Sequence, residues 1–319
     1  MPTLVPMNNV VLVTGSTAID QTGFFNGSFK DYQSKYPINS LNMSFQLAGM
    51  KTSFGGCAPN IAYGLHQLGI SAIPLSSAGR DFRDHYLPHL QRLGINVDYI
   101  AIDDDEEHSA SCMMLNDKQG NQIIGFYPGP GTPFRKLPSE LEEINQVALT
   151  ILGPEAPALT LKQARDLAGL SVPMLFDPGQ VISDFDRDEL LEMLSLASIL
   201  IVNDFEFSAL QANAELTAEE VFSQVAEVVV TQGANGADIH HKGQLVHVDA
   251  LPDVDIVEVT GSGDAFRAGY TYGILNNLSL SERGQLGCVM AMLNLVMPET
   301  QNYRTSLAEV LALQKKYYG

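Results

Sequence analysis

Basic residues are scarce in this chain: 18 lysines and arginines stand against 37 aspartates and glutamates among 319 residues, a formal charge of −19. Such an excess of acid opposes wrapping on nucleic acid or lying on an anionic membrane, so any phosphate must be met by local chemistry. Cysteine is scarce too. Cys57, Cys112 and Cys288 are odd in number, far apart and without a C-x-x-C pair. That argues against a disulfide framework or a zinc knuckle and fits a reducing cytoplasm. Long hydrophobic runs are missing. The first apolar stretch, Val10-Val11-Leu12-Val13, follows no basic segment and is too short for a signal core or a membrane span. Familiar nucleotide and hydrolase motifs are also absent. There is no G-x-x-x-x-G-K-[ST], Gly261-Ser262-Gly263 has Phe266 where a dinucleotide fingerprint needs its third glycine, and no G-x-S-x-G occurs.

What is present is an apolar fraction of 45%, ample for a large core. Val10 to Val13 reads as a buried strand ending in Thr14-Gly15-Ser16, with Asp20 just beyond. Gly55-Gly56 precedes a helix in which Ile61, Leu65 and Leu68 share one face and Gly69 closes the C-terminus. Residues 72–77 and 97–102 are the next strands, followed by an acidic solvated loop at 103–107. Residues 110–115 and 122–127 flank a turn of Asn, Asp and Gly and predict a hairpin. With residues 21–50, whose composition follows no helical period, the segment 108–127 is expected to form a small β lid. In the second half, apolar runs end at Leu152, Phe176, Val202, Val230 and Val257, separated by helix-length segments. This βα repeat predicts an α/β fold of three layers, with a mostly parallel central sheet, helices on both faces and a ligand crevice at the strands' carboxyl ends. No linker or repeat divides the chain, so residues 1–319 are expected to be one domain carrying the lid as an insertion.

The loops at those strand ends converge on one edge: Asp177-Pro178-Gly179-Gln180, Asn203-Asp204-Phe205-Glu206 and Thr231-Gln232-Gly233-Ala234-Asn235-Gly236. A fourth segment, Thr260-Gly261-Ser262-Gly263-Asp264, runs directly into a helix whose stripe is Phe266, Gly269, Tyr270, Gly273 and Ile274. The first N–H groups of such a helix lack intrahelical partners and bear the positive end of the dipole, so an anion fits there. Alone, the segment also suits a turn with a capping aspartate. Together with the other loops it suits phosphoryl transfer to an alcohol. The amides of Gly261, Ser262 and Gly263 would stabilise the spreading negative charge, and Asp264 would accept the hydroxyl proton. The helix dipole is expected to keep Asp264 ionised and weakly basic. Arg267, one turn on, reads either as a phosphate ligand or as half of a surface ion pair.

These residues resemble the ribokinase/PfkB-type carbohydrate kinases, in the branch that includes adenosine kinases. The resemblance covers nearly the whole chain. Thr260 to Phe266 is similar to the family's T-G-A-G-D-A-F, Gly55-Gly56 with Asn60 to its G-G-x-x-x-N, and Gly15-Ser16 with Asp20 to its G-S-x-x-x-D. The resemblance implies an ATP-dependent kinase with a ribokinase-like fold. It makes Asp264 the base, and makes Gly55, Gly56, Asp20 and Asn60 binders of the acceptor. Asn203 and Glu206 match N-x-x-E, which implies ATP phosphates at Asn203 and Mg²⁺ at Glu206 through water. Thr231, Gly233 and Gly236 match the nucleotide loop T-x-G-x-x-G. Asn294 lies on a helix similar to the one that flanks adenine. Glu258-Val259 replace the usual Asp-Thr, which places a monovalent-cation (K⁺) site in doubt.

Phe126, on a lid strand, would stack on a nucleobase. Phe126-Tyr127-Pro128-Gly129, Asp177-Pro178-Gly179-Gln180 and Thr300-Gln301-Asn302-Tyr303 resemble adenosine- and nucleoside-kinase relatives more than ribokinase proper, and this resemblance implies a nucleoside acceptor, adenosine first, phosphorylated on a primary hydroxyl of its ribosyl group. The alternatives are a kinase of a free sugar or sugar acid (ribose, fructose or 2-keto-3-deoxygluconate) and a non-catalytic ligand-binding sensor. The partner is thus a small molecule, with no nucleic acid or membrane, and the chain is expected to be a cytoplasmic monomer or homodimer. A metal enzyme is a further idea, prompted by His85 and His89 at i, i+4 and by His240-His241 near His247. Pro88 and the lack of a carboxylate at ligand spacing oppose it.

Overall fold

The structure is a computed structural model that describes residues 10–31, 44–130 and 135–319. The expected lid residues 32–43 lie outside the described residues. Strand β1 (Val10–Thr14) shows how the layers arise. Alternate side chains of a strand point to opposite faces, and here Val11 and Val13 join one apolar cluster while Leu12 joins another. In β10 (Ile199–Asn203), Ile199 and Ile201 fall in the first cluster, Leu200 and Val202 in the second. A continuous β-branched and leucine run is therefore buried on both sides, as a parallel sheet requires.

The other strands of this sheet are β4 (Ser71–Ala78), β5 (Ile100–Ile102), β8 (Val147–Leu152), β9 (Met174–Phe176), β11 (Glu227–Thr231), β12 (Ala237–His241) and β13 (Gln244–Val248). The order across the nine strands is β13-β12-β11-β10-β9-β8-β1-β4-β5. The pairs from β11 to β5 are parallel; β12 and β13 add an antiparallel hairpin at one edge.

Helices α1 (Cys57–Gln67), α2 (Tyr86–Arg92), α7 (Ser262–Leu275), α8 (Leu280–Leu295) and α9 (Leu307–Tyr318) pack on the face of Val11. Helices α3 (Pro157–Leu170), α4 (Arg187–Leu196), α5 (Asp204–Ala214) and α6 (Ala218–Gln224) pack on the face of Leu12.

The smaller sheet has the order β3-β2-β6-β7, from β2 (Ala18–Phe25), β3 (Gly49–Gly55), β6 (Ser111–Asp117) and β7 (Gln122–Tyr127). The expected hairpin is present as the antiparallel pair β6–β7, and β2 runs parallel to β6. Asp20 lies within strand β2, paired opposite Ser53, and not in a loop after β1.

One expected strand fails. The run ending at Val257 is irregular, and Ile256, Val257 and Val259 are exposed. The hairpin β12–β13 occupies the sheet edge instead, and residues 251–260 become the connection that delivers the chain to α7. The strand expected over 97–102 shortens to the three residues of β5. No helix among the described residues is long and apolar enough to cross a membrane.

Candidate active site

The N-terminus of α7 is shaped by glycine. Gly261 caps the helix at φ 79°, a left-handed conformation, and a Cβ there would stand 2.7 Å from Thr300 Cγ2. Of the three amides expected to face an anion, that of Ser262 turns back on the Val259 carbonyl at 3.3 Å. The amides of Gly261 and Gly263, with that of Asp264, are the donors that this turn leaves free among the described residues.

Asp264 sits half-buried in the first turn, its Oδ2 accepting from Asn60 Nδ2 at 2.9 Å. Burial pushes its carboxyl above the ordinary range, while Arg267 and the Asn60 N–H pull it down. Burial thus acts against the helix end, which is expected to keep this carboxylate ionised.

Asn60 is held from its other side. Its Oδ1 lies 2.8 Å from Gln301 Nε2 and 2.9 Å from Thr300 Oγ1, and the residue is buried in the first turns of α1. That helix begins where Gly56 turns at φ 90°, a Cβ on Gly56 being 2.3 Å from the Ser16 carbonyl. The preceding glycine serves a different neighbour. A Cβ on Gly55 would lie 2.5 Å from Asp20 Oδ2. Asp20 Oδ1 accepts from the Cys112 amide at 2.8 Å; burial raises its carboxyl, that bond lowers it, and Glu258 raises it again. Phe126 pairs with Cys112 in the β6–β7 register and is exposed, one strand beyond Asp20's anchor.

On the other side of α7, Arg267 forms a buried bidentate ion pair with Asp177. Its burial corrects the reading of Arg267 as half of a surface pair. Burial pushes Asp177 up to about 7 although Arg267 opposes it, and Glu206 and Asp264 add to the rise. The guanidinium also underlies the glycine turn, since a Cβ on Gly263 would come within 2.7 Å of Arg267 Nη1. Strand-end aspartates are conspicuous in a sequence. This pairing across 90 residues is not.

Asn203 and Glu206 form a reciprocal capping box on α5. Asn203 Oδ1 accepts the Glu206 amide and Glu206 Oε2 accepts the Asn203 amide, both at 2.8 Å. Among the described residues three other α-helices carry such boxes, ending in Glu189, Glu220 and Glu282. Glu206 alone of the four is buried, facing Asp177 and Arg267.

Asn203 pairs with Thr231 in the β10–β11 register. This sets the N-x-x-E box beside the glycine loop, where Gly233 has φ 56° and Gly236 φ 89°. Asn294 is buried, with Nδ2 3.4 Å from the Thr300 carbonyl, and lies against Gly261. It braces the glycine turn from behind and does not line an open face.

Glu258 is engaged too. Its Oε2 lies 3.3 Å from Lys51 Nζ and accepts the Glu299 amide at 3.1 Å. Cys57 opens α1 beneath Gly15, and burial with Asp264, Asp177 and Glu155 nearby pushes its thiol up, away from nucleophilic chemistry. His89 bonds Gln301, His240 stacks on Phe222 and His247 meets Asp238. No cluster of three or more metal-ligating residues occurs among the described residues.

A mostly parallel sheet between helical layers, with a glycine turn and a half-buried carboxylate at its carboxyl edge and a smaller four-stranded sheet beside them, is the architecture of ribokinase-like kinases. The chain belongs to the pfkB family of carbohydrate kinases, whose family profile matches residues 12–306. It is similar to the nucleoside kinase of Methanocaldococcus jannaschii, with 28% identity over 253 residues, 78% of this chain and 82% of that protein. Among solved structures, Burkholderia thailandensis nucleoside kinase in complex with inosine superposes with a TM-score of 0.85 at 30% identity, covering 97% of this chain and 98% of that one. The same protein in complex with ADP-inosine gives a TM-score of 0.82 at 30% identity over 97% and 96%.

Proposed function

We propose that this chain is an ATP-dependent nucleoside kinase that phosphorylates the primary hydroxyl of the ribosyl group, with Asp264 as the base. The observation that carries the reading is the pair Asp264 Oδ2–Asn60 Nδ2 at 2.9 Å, set at the free N-terminus of α7 on the edge that also carries the Thr231–Gly236 loop. Similarity to a nucleoside kinase bound to inosine and to ADP-inosine supports the acceptor class.

An acceptor hydroxyl beside Asp264 loses its proton to the carboxylate late, as the new P–O bond makes it acidic. Amides of Gly263 and Asp264 face the charge that spreads over the transferred group. Asp20, with one oxygen fixed by Cys112 and the other in the gap above Gly55, holds sugar hydroxyls together with the second N–H of Asn60. Phe126 lies beside them for a base. Thr231, Gly233 and Gly236 take the nucleotide.

The donor set fits Mg²⁺ carried by the nucleotide. Glu206 is one buried carboxylate with an Asn beside it, which suits a metal that keeps most of its waters and would neutralise phosphate charge. The residues do not fit a K⁺ site at Glu258, whose carboxylate is already matched by Lys51 and the Glu299 amide. ATP use and three free thiols suit the cytoplasm, and the small-molecule site is compatible with a monomer or homodimer.

The test is ADP release with adenosine, inosine, ribose, fructose and 2-keto-3-deoxygluconate. The nucleosides are expected to be turned over fastest, and Asp264→Asn to lose about 10²–10⁴ in rate while still binding ADP. A free sugar as the preferred acceptor would overturn the substrate class. An Asp264→Asn variant within tenfold of wild type would remove Asp264 from the mechanism.

A further inference from the structure

The hydrogen bond from Asn60 to Asp264 depends on which end of the Asn60 amide faces the carboxylate, and that orientation is dictated from a distance. The Gly55 carbonyl can only accept, and Tyr86 donates its single hydroxyl proton to it at 2.8 Å. Toward Gln301, at 2.6 Å, the Tyr86 oxygen must therefore accept, which turns the Gln301 nitrogen to it. Gln301 Oε1 faces the opposite way and meets His89 Nε2 at 3.1 Å, consistent with a donating Nε2–H. The second N–H of Gln301 reaches Asn60 Oδ1 at 2.8 Å. With its oxygen thus engaged, Asn60 presents its NH₂ to Asp264. Thr300 cannot substitute for Gln301 as the donor of record, because its one hydroxyl proton lies between the Phe54 carbonyl and Asn60 Oδ1, both at 2.9 Å.

We propose that Gln301 is a positioning residue, transmitting the polarity of the Gly55 carbonyl through Tyr86 to Asn60 so that an N–H, and not a carbonyl oxygen, holds the Asp264 carboxylate. Reversal of the Asn60 amide would set two acceptors against each other 2.9 Å apart. Tyr86, Asn60 and Gln301 are all buried, so water does not readily replace a lost partner. The inference rests on Asp264 acting as the base.

The experiment compares wild type with Gln301→Glu, Gln301→Met, Asn60→Ala, Asn60→Ala/Gln301→Met and Asp264→Asn for kcat, acceptor KM, ADP affinity and the pH profile. Both Gln301 variants lack the donor. The methionine is uncharged and nearly isosteric, and it carries the test if the buried glutamate prevents folding. Each is expected to lower kcat about 10- to 100-fold, the scale of a slightly misplaced catalytic group, with ADP affinity unchanged. The acidic limb of the kcat profile is expected to move to higher pH, because an N–H that favours the carboxylate is withdrawn. The double variant is expected to be no slower than Asn60→Ala, since Gln301 acts through Asn60. Wild-type kcat and acidic limb in Gln301→Met, or losses that multiply in the double variant, would overturn the proposal. If Asp264→Asn is inactive while Gln301→Met is normal, only this inference fails. If Asp264→Asn is active, the assignment of the base fails first.

Discussion

Replacing Gly55 by alanine isolates acceptor binding from everything else at the site. Gly55 does not occupy the left-handed region, so an alanine backbone is tolerated there, and the nearest obstacle to a Cβ is a side chain, Asp20 Oδ2 at 2.5 Å. To restore a contact of about 3.5 Å the oxygen must retreat by about 1 Å. Asp20 cannot retreat freely, because its other oxygen is held by the Cys112 amide at 2.8 Å. A displacement of that size removes a good hydrogen bond between the carboxylate and a sugar hydroxyl, worth about 1.5–3 kcal/mol for a charged acceptor. At about 1.4 kcal/mol per factor of ten, kcat/KM for the nucleoside is expected to fall roughly 10- to 150-fold. The assay is steady-state kinetics with varied acceptor at saturating ATP, together with ADP titration calorimetry and thermal unfolding. ADP affinity and Tm are expected to stay at wild-type values. An unchanged acceptor KM, or a loss shared equally by ADP binding, would show that Asp20 does not hold the acceptor.

Glu206→Gln keeps the capping box but removes the charge, so Tm should be maintained while half-maximal rate requires several-fold more Mg²⁺; a lower Tm at unchanged Mg²⁺ demand would refute the metal role. Gly236→Ala combines φ 89° with a Cβ 1.9 Å from the Val248 carbonyl, whereas Gly233→Ala has φ 56° and open space. The first is expected to cost more than about 3 kcal/mol and the second about 1–2, and equal losses by chemical denaturation would refute the steric account. Burial raises the folded-state pKa of Asp264, so the stability tied to its proton is complete below the unfolded value of about 3.9 and is lost as pH rises through the folded one. Asp264→Asn is therefore expected to raise Tm at pH 8 and to lose that advantage near about pH 4. A Tm lowered at pH 8 would contradict the sign.

Much of the layer architecture was legible because it is a local matter. The runs at β1 and β10 are apolar at every position but the last, which only a sheet covered on both faces requires, and the helical stripe after Gly263 announces α7 directly. Apolar runs were legible only up to their partners, however. The residues ending at Val257 look like another strand and remain exposed, because β12 and β13 close that edge as a hairpin. N-x-x-E shows a similar ambiguity: it is a helix cap by geometry, and the burial of Glu206 near Asp177 distinguishes it from the boxes that end in Glu189, Glu220 and Glu282.

By itself the sequence determined the α/β layering, the glycine turn before α7 and the identity of the residues with chemistry to offer, since periodicity, capping and backbone freedom act over a few residues. Tertiary structure alone decided which polar groups meet. Asn60 reaches Asp264 across 204 residues, Gln301 fixes Asn60 across 241, and Arg267 turns inward to Asp177. Nothing in a local pattern records those pairings, because a buried donor or charge is satisfied by whatever the packed helices and strand ends bring within hydrogen-bond distance.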